Sequence, residues 1–304
     1  MWKDLFEQYL DVEGADGAMS SITVKNYQCG LRMYLRFCDE TGVDVVQADK
    51  SDIKMYRKWS IRAGKSRATI YYRLVVVRRF YEALIWSGQR QNNPALGIKA
   101  PRADRAREDQ IQFMTLEQMK AVIKSTCNTL AGARDKVAIV LMGVHGMRSG
   151  EVRSMNVRDL EWANKRVLVS GKSGERYIYL RDDVLMMIRR YLSLRKRGGV
   201  TSDALLCNHQ HGSVGTSLSR FGLSQAIDRA YVRAGVPFSG QHVLRHSAAT
   251  IALSNGATVE QVQAMLGHKS LDTTSVYVHA IDRERNNPSQ FIDVSLEEPD
   301  FAHE

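Results

Sequence analysis

The chain has 304 residues, 44% of them hydrophobic and 25% charged, a globular composition with length enough for about two ordinary domains. Its formal net charge of +10 points to a polyanionic partner, either nucleic acid or an acidic membrane surface. No run of about 18 apolar residues occurs, so no membrane span is expected, and the opening MWKDLFEQYLDVEG lacks the basic start and apolar run of a secretory signal.

Residues 1–90 read as helical. Asp4 to Leu10 forms a short first helix. Val24, Tyr27, Leu31, Tyr34, Leu35 and Cys38 recur at spacings of three and four, which predicts an amphipathic helix from Ser21 to Cys38. Ser51 is a candidate cap for a third helix running to about Ala63. Ser66 or Thr69 starts a fourth, through about Ile85, with Leu74, Val77, Phe80, Tyr81 and Leu84 on its apolar side. Residues 50–80 hold ten Lys or Arg against one acid, Asp52. Lys54, Arg57, Lys58, Lys65, Arg67, Arg73, Arg78 and Arg79 form either a solvated helix face or a phosphate-contacting one.

Residues 91–112 contain Pro94, Gly97 and Pro101 with Lys99, Arg102, Arg105 and Arg107, the composition of an extended basic linker. A second domain follows over 113–285. Thr115 and Gln118 make a capping box ahead of a helix to about Cys127, and Arg134 to Val144 is another apolar helix. Arg166–Ser170 and Arg176–Leu180 alternate as two short strands around the turn Gly171-Lys172-Ser173-Gly174-Glu175. Asp183 caps a helix to about Arg197, and the remainder is helical, broken at Gly235, Gly240, Gly256 and Gly267. Residues 286–304 form a tail with five acids, Asp293, Glu297, Glu298, Asp300 and Glu304, and neither Lys nor Arg. Phe291, Ile292, Val294, Leu296 and Phe301 give that tail an apolar stripe needing a groove.

Cys29, Cys38, Cys127 and Cys207 form no C-x-x-C pair and read as free thiols in a reducing cytoplasm. The run Cys207-Asn208-His209-Gln210-His211 is too closely spaced for an ordinary zinc site and reads as a loop leading out of a strand.

Four segments carry chemistry: Gly146-Met147-Arg148-Ser149-Gly150-Glu151; Gly171-Lys172-Ser173-Gly174; His242-Val243-Leu244-Arg245-His246; and Leu266-Gly267-His268, leading on to Tyr277. His242 and Arg245, three apart, share one face of a helix. Gly267 ends an apolar helix and leaves His268 at a turn. Taken singly, Arg148 reads as a surface arginine or a partner of Glu151, Lys172 as an exposed turn residue, either histidine as structural, and Tyr277 as a core aromatic. As a set, two arginines, two histidines, a lysine and a tyrosine handle anions, with no carboxylate pair of the kind that metal-assisted hydrolysis uses, which points to phosphoryl transfer without a metal.

In that order and at that spacing, the segments resemble the signature of the tyrosine recombinase, or phage integrase, family: G-(L/M)-R-x-x-E, a lysine in a β-hairpin, H-x-L-R-H, L-G-H, and a tyrosine about nine residues later. The likeness covers residues 113–280 closely and 1–90 in helical pattern. It implies a fold that is mainly α with a small β-sheet, built as a two-domain DNA clamp of a helical SAM-like core-binding domain and an α+β catalytic domain. It implies Arg148, Lys172, His242, Arg245, His268 and Tyr277 as the active site, with Glu151 and His246 holding the arginines and histidines. Tyr277 would attack a DNA phosphate, His242 handle its proton, His268 donate to a phosphate oxygen, and Lys172 protonate the leaving 5′-oxygen. No cofactor, metal or ATP is implied. The implied partners are double-stranded DNA recombination sites, further copies of the chain in a tetramer on DNA with the tail docked on a neighbour, and accessory proteins.

The chain is short for an integrase with a separate arm-binding domain. It looks more like the simple recombinases, Xer-type resolvases or those of transposons, integrative elements and plasmids. A type IB topoisomerase, with a similar active site, is the alternative, followed by a DNA-binding regulator that has lost catalysis.

Overall fold

The computed structural model describes residues 1–13, 19–101, 112–171, 174–210, 212–267 and 277. The chain divides into two units, Met1–Asp104 and Arg105–Glu304.

In the first unit, helices α1 (Trp2–Glu13), α2 (Ser21–Thr41), α3 (Lys50–Arg62) and α4 (Arg67–Trp86) follow the predicted order. Ser20 caps α2 and Ser66 caps α4, each accepting from a backbone N–H three residues on. The cap of α3 is Asp49 rather than Ser51: its Oδ1 accepts from Ser51 N at 2.6 Å and Asp52 N at 3.1 Å, while Asp52 Oδ2 accepts from Asp49 N at 2.8 Å. A carboxylate does this better than a hydroxyl because it also meets the positive end of the helix dipole. The core is aromatic. Tyr34, Phe37, Tyr56, Phe80 and Tyr81 are all fully buried, with Tyr34 edge-on to Tyr56 at 5.1 Å and Trp59 stacked beside Tyr56 at 5.9 Å. The phenol groups of Tyr34 and Tyr81 lie 2.5 Å apart, and Tyr81 donates onward to the carbonyl of Val45 at 3.1 Å, so this core keeps those hydroxyls bonded.

The segment read as the start of a linker belongs to this unit through residue 101. Ala95 and Ile98 are buried in its core. Arg57 donates to Lys99 O at 3.0 Å and Arg67 to Pro101 O at 2.8 Å. Pro94, Gly97 and Pro101 thus shape a fitted strap, while the basic stretch with Arg102, Arg105 and Arg107 lies outside the described residues.

The second unit is built around α6 (Leu130–Gly143), buried along nearly its whole length from Val137 to Met142. Against it pack α5 (Leu116–Lys124), α8 (Asp182–Arg197), α9 (Arg220–Ala234) and α10 (His242–Ser254). The Thr115–Gln118 capping box is present. Asp183 does not cap α8; Arg181 stands at that position and Asp183 pairs with it at 2.7 Å. The sheet is antiparallel in the order β1 (Leu160–Glu161), β2 (Arg166–Gly171), β3 (Gly174–Tyr179), with Val167 opposite Ile178 and Gly171 opposite Gly174. The two-residue β1 is too short to leave a periodic trace in sequence. Arg195 secures the segment after α8, donating to the carbonyls of Ser202 and Ala204 at 2.5 and 2.7 Å. Cys207, His209 and Tyr191 lie together there, with Tyr191 Oη 3.1 Å from His209 Nε2. Two short helices complete the site: α7 (Ser149–Ser154) and α11 (Val259–Leu266). Among the described residues no helix is long and apolar enough to cross a membrane.

Candidate active site

The end of α11 organises the site. Thr258 and Gln261 cap its start reciprocally, and Gly267 ends it at φ +63°, a left-handed conformation that glycine adopts without penalty. The last carbonyls of a helix carry its negative dipole end and lack intrahelical donors. Here the Gly267 N–H serves Gln263 O and Ala264 O, and arginines take the two carbonyls that follow at Leu266 and Gly267. Arg245 donates to Leu266 O at 2.7 Å, and Arg148 to the next carbonyl, Gly267 O, at 3.3 Å. Arg245 donates further to Gly146 O, at the turn that opens the Arg148 segment. One turn therefore joins segments that lie about a hundred residues apart.

Arg245 is 5% exposed. Burial, then the neighbouring charge of Arg148, pushes its pKa down to about 10, which leaves it charged at neutral pH. Arg148 keeps 32% of its side chain exposed and stands at the start of α7. Its Nη1 donates to Glu151 Oε1 at 3.0 Å and its backbone N–H to Glu151 Oε2 at 2.8 Å. Burial alone would raise the Glu151 pKa, yet hydrogen bonds from Arg176 and from the Arg148 backbone, with the charges beside them, hold it below the ordinary carboxylate value. The second guanidinium, Arg176 on β3, reaches the same carboxylate at 2.6 and 3.1 Å. Sequence reasoning passed over Arg176. The signal was the strand alternation, which places a cation on the inward face with Ile178, where an apolar residue belongs.

Tyr277 is 4% exposed, packed with Ala249, Val262 and Leu266. Its hydroxyl lies 2.8 Å from His246 Nδ1. His242, at the first position of α10, is exposed, with its ring centroid 6.3 Å from that of His246. Arg245 is buried, while His242, at the first position of the same helix, is exposed. Arg148, Glu151, Arg245, His246 and Tyr277 are brought together. Lys172 and His268 lie outside the described residues, as does the tail 286–304. Gly171 and Gly174 pair across the β2–β3 hairpin.

The cations expected to contact phosphate divide. Lys54, Lys58, Lys65 and Arg67 are exposed, and Arg57 and Arg78 are half-buried. Arg73 does not fit that role: it is 7% exposed, donates to Ser60 Oγ at 3.0 Å and lies over the Trp59 ring at 5.6 Å. Arg79 is engaged by Glu82 at 3.0 Å and Glu13 at 3.4 Å.

Comparison with known proteins agrees with this architecture. Residues 112–284 match the phage integrase family, and residues 4–88 match the phage integrase N-terminal SAM-like domain. The chain is 28% identical over 278 residues to the tyrosine recombinase XerC of Escherichia coli, covering 90% of each chain. Its fold is similar to that of a XerH site-specific recombinase bound to a palindromic difH substrate in a post-cleavage complex, with a TM-score of 0.71 at 20% identity, covering 90% of this chain and 80% of that one. It is also similar to a lambda integrase dimer bound to a COC′ core site, with a TM-score of 0.69 at 20% identity, covering 98% and 79%.

Proposed function

The chain belongs to the phage integrase family, and on that premise we propose that it is a site-specific tyrosine recombinase that cuts DNA strands and joins them to new partners. The observation that carries the reading is the Leu266–Gly267 turn, whose two carbonyls hold Arg245 and Arg148 while the Leu266 side chain packs on Tyr277.

A phosphodiester repels nucleophiles because its non-bridging oxygens are negative, and charge on them grows in the five-coordinate transition state. Two preorganised guanidinium groups oppose that charge, each worth about 3–4 kcal/mol if it behaves like other oxyanion donors. The Tyr277 oxygen bonds to phosphorus as the bond to the 5′-oxygen breaks. The phenol proton passes to a histidine, and Lys172 protonates the departing 5′-oxygen. The product is a 3′-phosphotyrosyl link and a free 5′-hydroxyl. Attack by the 5′-hydroxyl of another strand reverses these steps and releases the tyrosine, so no ATP is consumed. His246, bonded to the Tyr277 hydroxyl, supports a change from His242 to His246 as the proton acceptor. His268 remains a candidate donor to a phosphate oxygen.

In this reading the two units grip one duplex, four copies act on two sites in the cytoplasm, and residues 286–304 dock on a neighbouring copy. The XerC likeness over 90% of both chains favours recombination over the topoisomerase alternative. The test is covalent trapping on nicked duplexes taken from the flanks of the gene. Wild type is expected to give a protein–DNA adduct on a denaturing gel and Tyr277→Phe none, with DNA binding unchanged. An adduct from Tyr277→Phe would assign the nucleophile elsewhere.

A further inference from the structure

We infer that Arg176 is a positioning residue for Arg148, acting through their shared carboxylate. The inference rests on the proposed recombinase reading and adds to it a residue that lies outside the six-residue signature.

Glu151 has a side chain only 1% exposed and accepts four hydrogen bonds, two from Arg148 and two from Arg176. A buried carboxylate needs its acceptor sites filled. Arg148 alone fills half of them. Its guanidinium would also face the whole negative charge of Glu151, which opposes its use on a phosphate. Arg176 takes the larger share: its two contacts are 2.6 and 3.1 Å, against 3.0 Å for the Arg148 guanidinium. The cluster of two cations and one anion then keeps a net positive charge beside Arg245.

Arg176 also supports the turn that holds both arginines. A Cβ built on Gly267 would meet Arg176 Nε at 2.7 Å, so the guanidinium lies directly against that backbone. Gly267 O is the carbonyl that accepts from Arg148. On the other side, a Cβ on Gly171 would come within 3.1 Å of Glu151 Oε1. Glycines at 171 and 267 thus make room for a Glu151–Arg176 pair wedged between the hairpin and the end of α11. Arg148 is oriented from two directions, and Arg176 stands behind both.

The experiment is single-turnover cleavage of a nicked core-site duplex by wild type, Arg176→Gln, Arg176→Lys, Glu151→Gln and the double variant Arg176→Gln/Glu151→Gln. Each is run with an ordinary phosphate and with a neutral methylphosphonate at the scissile position. Arg176→Gln is expected to slow cleavage of the phosphate by about 10–100-fold, the scale of a misplaced catalytic group. The loss is expected to shrink on the methylphosphonate, where one less charge needs neutralising. Adding Arg176→Gln to Glu151→Gln is expected to cost less than about 3-fold more, because the two act as a unit. Arg176→Lys, which keeps the charge but not the fork, is expected to fall between, and it serves in place of the Gln variant if that variant does not fold. Equal losses on both substrates, additive losses in the double variant, or wild-type rates in Arg176→Gln would overturn the inference. Wild-type protein that forms no adduct would instead defeat the recombinase reading, and this inference with it.

Discussion

The hydroxyl of Tyr277 and Nδ1 of His246 lie 2.8 Å apart, within the reach that proton transfer from a proposed nucleophile to a base requires. His246→Leu is expected to slow adduct formation by roughly 100-fold or more, the usual scale for a lost acid–base group. His246→Gln restores a hydrogen bond without a titratable ring and is expected to recover melting temperature but not rate. The same gel assay on His242→Leu supplies the comparison, and a larger loss there would return the proton to His242.

Acid is expected to unfold the two units unequally. All eight histidines, from His145 to His303, belong to the second unit. Burial pushes the His145 pKa down to about 4, aided by Arg181, and burial also pushes that of His209 to about 4. A depressed histidine leaves stability fully present above its unfolded pKa of about 6.5, and stability is lost as pH falls from there toward about 4. At pH 5 His145 alone removes about 2 kcal/mol, with His209, which is partly exposed, removing less. Below about pH 4.5 the paired Glu151 adds to the loss, because its lowered pKa contributes stability only while it is ionised. Urea unfolding at pH 7 and pH 5, followed by amide exchange in each unit, checks this; a first unit that loses as much as the second would refute it.

Much of the fold was legible because helices and their caps are local. Ser66, Thr115 with Gln118, and the glycine ends of α9 and α11 announce themselves within a few residues. The hairpin was equally local. What escaped depends on contacts distant in sequence. No local pattern shows that Ala95 and Ile98 complete an aromatic core, or that Arg73 sets its guanidinium over the Trp59 ring. The candidate site was legible as a spacing, but which histidine meets Tyr277 depends on how α10 is rotated, and the spacing is silent on that.

Gly267→Ala is expected to destabilise the second unit by about 1–2 kcal/mol, the cost of a left-handed non-glycine residue. The added methyl also meets Arg176 at 2.7 Å. Cleavage is therefore expected to fall well below what the drop in melting temperature accounts for. Rates measured far below the melting range separate the two effects; unchanged rates there would refute the coupling.

Arg73 and the exposed lysines are expected to behave oppositely. Arg73→Ala removes a buried guanidinium and is expected to destabilise the first unit by about 1–3 kcal/mol while leaving the salt slope of DNA binding unchanged. Lys58→Ala or Lys65→Ala is expected to reduce that slope by about 1 each with no change in melting temperature. Binding isotherms over a range of salt, paired with thermal melts, test both.

Removal of residues 286–304 is expected to weaken cooperative binding to a two-site duplex while preserving binding to a single half-site. Native gels over a protein titration would show it, and unchanged cooperativity would rule out docking of the tail on a neighbour.

The aromatic core of the first unit has a practical consequence. Trp2, Trp59 and Trp86 sit in that unit, and only Trp162 lies in the second, beneath Arg189 at 4.9 Å. Tryptophan emission therefore watches mainly the helical unit, while histidine ring resonances in NMR watch only the other. One intact chain carries two separate optical and magnetic reporters, so the order in which its halves respond to DNA can be timed without attaching a label.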